Sequence, residues 1–207
     1  MNLYDQYILP HLIDFACGLG PVQRQRAKVV PLAAGKVLEI GVGTGLNLPF
    51  YDKSRVTNLT ALDPAVQMNA KAQRRMRDAG LDVEMLMLSA EQIPMPDASF
   101  DTVVCTFTLC TIPDPGAALR EMRRVLKPDG RLLYCEHGLA PDAAVRRWQE
   151  RVNPLWRPLA GGCNLDRDIP RLLESTGFRI ETLERMYLPG PRIFTYNYWG
   201  VATPLPG

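Results

Sequence analysis

The chain has 207 residues, 46% of them hydrophobic and 22% charged, with a formal net charge of +2. That length buries a full core in one domain, and that composition excludes a disordered or collagen-like chain. The near-neutral balance leaves no electrostatic footprint for nucleic acid, and no apolar run approaches the ~20 residues of a membrane helix. Five cysteines and two histidines, with no C-x-x-C pair, predict free thiols in a reducing cytosol and no zinc site. Residues 1–10 carry Asp5 and lack the basic start of a signal peptide. A cytoplasmic protein without stable membrane insertion is therefore expected.

Residues 3–33 read as a helical lid, with Leu3, Tyr7 and Leu12 among its apolar positions and breaks at Pro10, Gly18, Gly20 and Pro21. Residues 37–40 follow as a short apolar run interrupted by Glu39, which fits a buried strand bounded by glycine. Gly41, Gly43 and Gly45 then let the backbone turn tightly against a ligand, with no Cβ in the way. A helix opening at Leu46-Asn47 would offer free N–H groups and a partial positive charge to an anionic group. The loop is of a nucleotide-binding type. The dinucleotide fingerprint G-x-G-x-x-G, however, requires glycine where Leu46 stands, and Glu39 would repel a pyrophosphate.

Residues 56–62 form the second predicted strand, closed by Asp63-Pro64. Asp63 lies 22 residues after Gly41, where an acid can accept hydrogen bonds from both ribose hydroxyls; Asp before Pro is equally a standard helix start. Residues 65–79 predict a helix with Ala65, Met68, Ala72, Met76 and Ala79 on one face and Gly80 as its cap. Its basic residues, Lys71, Arg74, Arg75 and Arg77, read as a solvated face rather than a nucleic-acid contact.

A third strand is predicted at 83–88, then a turn-rich connector at 89–101, and a fourth strand at 102–107. Asp114-Pro115 opens a helix with Leu119, Met122 and Leu126 as its buried stripe, ended by Lys127-Pro128-Asp129-Gly130. The fifth strand, 131–135, finishes at Glu136-His137. Strands alternating with helices predict a parallel sheet. Residues 178–186 and 193–202 are consecutive strands joined by a Pro189-Gly190-Pro191 loop, which predicts an antiparallel hairpin at the sheet edge. Cys105 reads as a small buried hydrophobe and Cys110 as a residue nearer the rim. His137 is the only histidine near the predicted site; as a neutral imidazole it can take a proton from an incoming nucleophile.

E-I-G-x-G-x-G resembles motif I of the class I S-adenosylmethionine (AdoMet) methyltransferases, and the connector S-A-E-Q-I-P-M-P-D-A-S-F-D resembles their third motif, with Ser89 in place of the usual Asp. The resemblance implies a Rossmann-like α/β fold, a single domain with a seven-stranded mixed sheet. Residues 1–34 would be the lid, 35–137 the AdoMet-binding half, and 138–207 the substrate side with the hairpin. It implies AdoMet held by Glu39, Gly41, Gly43, Gly45, Asp63, Ser89, Ala90, Glu91 and Thr106, with S-adenosylhomocysteine as product and a small-molecule methyl acceptor. No metal is expected. Glu136-His137, Trp148, Asn153-Pro154-Leu155-Trp156 and Gly161-Gly162-Cys163-Asn164-Leu165 resemble a branch of animal alkyl-thiol methyltransferases. That likeness implies Cys110, His137, Trp148 and Trp156 around an acceptor thiol, with His137 catalytic. Quinone C-methylation or phospholipid N-methylation is the alternative chemistry; a nicotinamide oxidoreductase or a non-catalytic AdoMet-binding protein is a more distant one. The hydrophobic N-terminal anchor of the animal proteins has no counterpart in this sequence, so membrane residence is not carried over.

Overall fold

The apolar runs of the sequence assemble into one sheet in the order β3-β2-β1-β4-β5-β7-β6, seen in a computed structural model that describes residues 3–65 and 69–206. The strands are β1 (Gly35–Ile40), β2 (Val56–Leu62), β3 (Val83–Leu86), β4 (Phe100–Thr106), β5 (Leu126–His137), β6 (Phe178–Tyr187) and β7 (Tyr196–Pro204). The first five pair in parallel, while β7 runs antiparallel to both β5 and β6. The predicted parallel sheet with an antiparallel edge is the observed architecture.

Period-two alternation places successive strand residues on opposite faces, and both faces are buried. Leu38, Val103, Cys105 and Leu132 pack on one side against Leu119 and Met122 of α4 (Pro115–Val125). Their neighbours Val37, Val104 and Leu133 pack on the other side against Val29 of α2 (Gly20–Val29) and Ala72 and Met76 of α3 (Asn69–Ala79). Those two α3 residues lie on the face predicted to be apolar; Met68 falls outside the described residues.

Three local expectations give way. The glycine loop is not followed by an α-helix: turn bonds from Gly45 N to Val42 O and from Phe50 N to Asn47 O close it into a short 3₁₀ turn, Leu48–Phe50, with Pro49 inside. Lys127-Pro128-Asp129-Gly130 belongs to β5 rather than to the end of α4, because Leu126 already takes an extended conformation and pairs with Phe100. Between β5 and β6 two further helices form, α5 (Ala143–Leu159) and α6 (Ile169–Ser175). The N-terminal segment forms a π-helical turn (Tyr4–Ile8), α1 (Leu9–Cys17) and α2, with the break at Gly18 as expected. A four-residue helix, Arg192–Thr195, stands in the hairpin. No helix among the described residues is long and apolar enough to cross a membrane.

Candidate active site

A cleft of about 680 Å³ opens beyond the C-terminal ends of β1, β2 and β4. Its floor is the loop Gly41–Thr44, Asp63, Ser89-Ala90 and the β4 end at Thr106 and Phe107. Leu9, Ile13 and Cys17 of α1 roof it, and Thr111, Pro158, Gly161 and Gly162 form the far wall.

The glycines turn the backbone as their spacing predicts. Gly41, Gly43 and Gly45 all have positive φ, and a Cβ on Gly41 would lie 2.2 Å from Thr108 Cγ2. Asp63 braces this loop: its Oδ2 accepts the Gly43 N–H at 2.7 Å and its Oδ1 the Ala65 N–H at 2.7 Å. Burial pushes its carboxyl above the usual value. Glu39 is fully buried beneath the loop, not exposed to the cleft. Its two oxygens accept from Asn47 Nδ2 and the Tyr51 hydroxyl, at 3.0 and 2.8 Å, and burial pushes its pKa up to about 7. Glu39 thus supports the loop from inside. Gly45 and Glu91 also lie off the cleft surface; Glu91 takes the Ser89 hydroxyl at 2.6 Å and the Asp114 N–H at 2.8 Å, fixing the connector that presents Ala90.

Two charged residues here have no motif in the sequence. Arg26 of α2 is 5% exposed, donates from Nη1 to Asn47 Oδ1 and Thr106 Oγ1 at 2.6 Å each, and stands over the Phe107 ring at 4.8 Å. Its Nε is buried with no partner. Phe107, which turns the chain off β4, has a φ of +52°, a conformation costly for a non-glycine residue and typical of ligand-contacting turns. Asp14 of α1 accepts hydrogen bonds from Thr44 Oγ1 (2.6 Å), Lys71 Nζ (2.9 Å) and Arg75 Nη1 (2.6 Å). Burial would raise its pKa, but those three donors hold it well below the usual carboxylate range.

On the acceptor side the predicted residues separate. Trp148 is 57% exposed beneath the Arg151 guanidinium and does not reach the cleft. Trp156, Cys110 and His137 lie behind the wall rather than on it. They meet around Cys163: His137 Nε2 is 3.0 Å from Cys163 Sγ, and Trp156 Nε1 donates to the same sulfur at 3.4 Å. A hydrogen bond from the Cys110 thiol, with the positive charge of His137, lowers the Cys163 pKa. Burial alone would lower the His137 pKa, but the Cys163 sulfur more than offsets that and raises it. Glu136, wholly buried under this wall, accepts the Thr108 and Leu109 N–H groups on Oε1 while its Oε2 has no partner. Burial pushes its carboxyl up to about 7. The predicted absence of a zinc site rested on spacing along the chain; in space, Cys110, His137 and Cys163 form a cluster able to ligate a metal.

A family profile described as a methyltransferase domain matches residues 38–134. A human thiol S-methyltransferase, TMT1B, is 35% identical over 173 residues, which is 78% of this chain and 70% of its own length. The chain belongs to the class I AdoMet-dependent methyltransferases. This methyltransferase is also 32% identical over 180 residues to a phosphatidylethanolamine N-methyltransferase of Cereibacter sphaeroides, 84% of each chain. A solved Thermotoga maritima AdoMet-dependent methyltransferase, described as a possible histamine N-methyltransferase, matches it with a TM-score of 0.69 over 97% of both chains. At 21% identity that likeness concerns the fold alone. Methyltransferases of this class take their methyl group from AdoMet; the curated relatives differ in the atom that receives it.

Proposed function

We propose that this methyltransferase S-methylates a small alkyl thiol. The observation that carries the reading is a convergence on one wall. The two segments that resemble alkyl-thiol methyltransferases, Glu136-His137 and the run 161–165, fold together there. Gly161 and Gly162 line the cleft, and His137 meets Cys163 immediately behind them.

The donor side fits AdoMet in its own residues. The loop at Gly41–Thr44, Asp63 and Ala90 all line the cleft, which supports the resemblance's assignment of Asp63 to the ribose hydroxyls and Ala90 to the adenine. Arg26, whose Nε has no protein partner, supplies a cation for the carboxylate end. When bound, AdoMet supplies a sulfonium methyl group for direct displacement by the acceptor. The protein's part is then to hold the nucleophile in line and dry, which positioning alone accelerates strongly. The α1 roof excludes water, and His137 favours the ionised acceptor from behind the wall. A thiol needs only to lose its proton, since the thiolate is the reactive form.

The test is methyl transfer to a panel of thiols, amines, phenols and quinols, read as S-adenosylhomocysteine formed. Alkyl thiols are expected to dominate; preferential turnover of amines or quinols would overturn the reading. A phospholipid amine is the second reading. It is favoured by the exposed Leu12, Phe15 and Leu159 beside the roof, where Tyr4 bonds Leu159 O at 2.6 Å. Phosphatidylethanolamine vesicles in the same panel separate the two.

A further inference from the structure

We infer that Cys110, His137 and Cys163 form a zinc site whose open fourth position takes the acceptor sulfur; this role rests on the thiol reading above. The three ligands come from the loop after β4, the end of β5 and the turn after α5, and their ligating atoms lie within 4.8 Å of one another. Zinc bound tetrahedrally at about 2.3 Å to sulfur and about 2.0–2.1 Å to nitrogen separates its ligand atoms by roughly 3.5–3.8 Å. The Sγ to Nε2 distance of 3.0 Å widens to that value by a modest rotation of either side chain.

The chemistry of the set is selective. Two soft sulfurs and one imidazole suit zinc rather than magnesium or calcium, and three protein ligands with a vacant position are the arrangement of catalytic zinc. The ligands are also held in advance. Asn164 donates from both its backbone N and its Nδ2 to Cys110 O, at 2.9 and 2.8 Å, tying the two cysteine segments together. Arg167 donates to the carbonyls of Leu109 and Ile112 on either side of Cys110. His137 is fixed by pairing opposite Asn197 of β7, and Trp156 Nε1 orients the Cys163 sulfur. Such outer hydrogen bonds are what set ligand orientation in metal centres.

The site is next to the cleft. Thr111 and Gly162, the chain neighbours of Cys110 and Cys163, line its wall. Gly162 has a φ of +88°, and a Cβ built there would meet only Thr111 O, at 3.5 Å, so at this position the wall beside Cys163 is backbone alone. The acceptor's S–H proton is released to bulk solvent as its sulfur binds the metal, before the α1 roof closes. A sulfur lone pair then forms the new C–S bond while the donor's methyl C–S bond breaks, that electron pair staying on S-adenosylhomocysteine. The neutral thioether, a weak ligand, dissociates.

The experiment uses reduced, full-length protein stripped with a chelator and titrated with zinc against a chromophoric competitor, and in parallel with cobalt(II). One equivalent of each metal is expected, with tetrahedral cobalt bands and thiolate-to-cobalt charge transfer that grows when an alkyl thiol is added. Cys163→Ser and Cys110→Ser should each lose the spectrum while circular dichroism stays unchanged. A folded wild-type chain that takes up no metal overturns the site without recourse to any variant. Full thiol turnover by the stripped enzyme overturns it too, and leaves thiol methylation standing. Metal uptake with spectra indifferent to thiols, together with methylation of amines only, overturns the acceptor role and the thiol reading at once.

Discussion

The two sides of the cleft are built by different means. On the donor side, the floor is held by contacts among the predicted motifs themselves: Gly43 with Asp63, Asn47 with Glu39, Ser89 with Glu91. On the acceptor side they join segments that only the fold brings together: Cys110 with Asn164, His137 with Cys163, Tyr4 with Leu159. A site made from consecutive strand ends carries its chemistry in a local motif. One made where loops and added helices meet carries it in tertiary structure.

This contrast can be broken at one side without touching the other. The largest effect is expected from Gly41→Ala, which places a Cβ 2.2 Å from Thr108 at a φ of +70°. AdoMet binding should fall below detection in calorimetry, with methyl transfer lost for every acceptor. His137→Ala should do the opposite: AdoMet affinity is nearly unchanged, while turnover of an alkyl thiol drops by at least roughly 10–100-fold, since losing a metal ligand costs more than losing a group that only orients one. An acidic aryl thiol, already ionised at neutral pH, should lose far less; equal losses for both would reduce His137 to a structural residue.

Asp63→Ala comes next, with a loss of about 1.5–3 kcal/mol in AdoMet affinity, the scale for hydrogen bonds to a charged group. A lower melting temperature at unchanged affinity would mean that Asp63 only braces Gly43 and Ala65. Stability against pH probes both sides together, since Glu39 lies under the donor side and Glu136 under the acceptor side. Both folded pKa values are raised from 4.5 to about 7. Their neutral forms therefore stabilise the fold fully below pH 4.5, and that contribution is lost as pH rises through about 7. The urea midpoint should fall between pH 5 and pH 8, and Glu39→Gln or Glu136→Gln should each flatten the decline. The smallest effect belongs to Trp148→Ala, which should leave thiol turnover unchanged and stability within about 0.5 kcal/mol, as for other exposed positions.

The five parallel strands and the hairpin were legible because each contains an apolar run, and the runs of β1 and β2 end directly at Gly41 and Asp63. The donor loop was legible because three glycines at alternate positions, with Asp63 beyond, have few other uses. The helix expected after Gly45 was not found, because Leu48-Pro49-Phe50 closes a single 3₁₀ turn before Tyr51 leaves in an extended conformation. α5 was hidden by Pro154 and Pro158, both inside it, where propensity argues for a break. Arg26 stands in a basic run, 22–28, that matches no motif, yet it is almost fully buried at the cleft. Nor could spacing reveal that Cys110, His137 and Cys163 meet. Their separations of 27 and 26 residues follow no ligand pattern, and they meet only because the turn after α5 comes against the end of β5.

Asp14 fastens α1 over the cleft with three hydrogen bonds, one to the cofactor loop at Thr44 and two to α3 at Lys71 and Arg75. Because the same carboxylate serves all three, the roof is released in one event rather than by gradual fraying. Asp14→Ala should therefore free the roof, read as faster amide exchange across Leu9–Cys17 while the sheet keeps its protection.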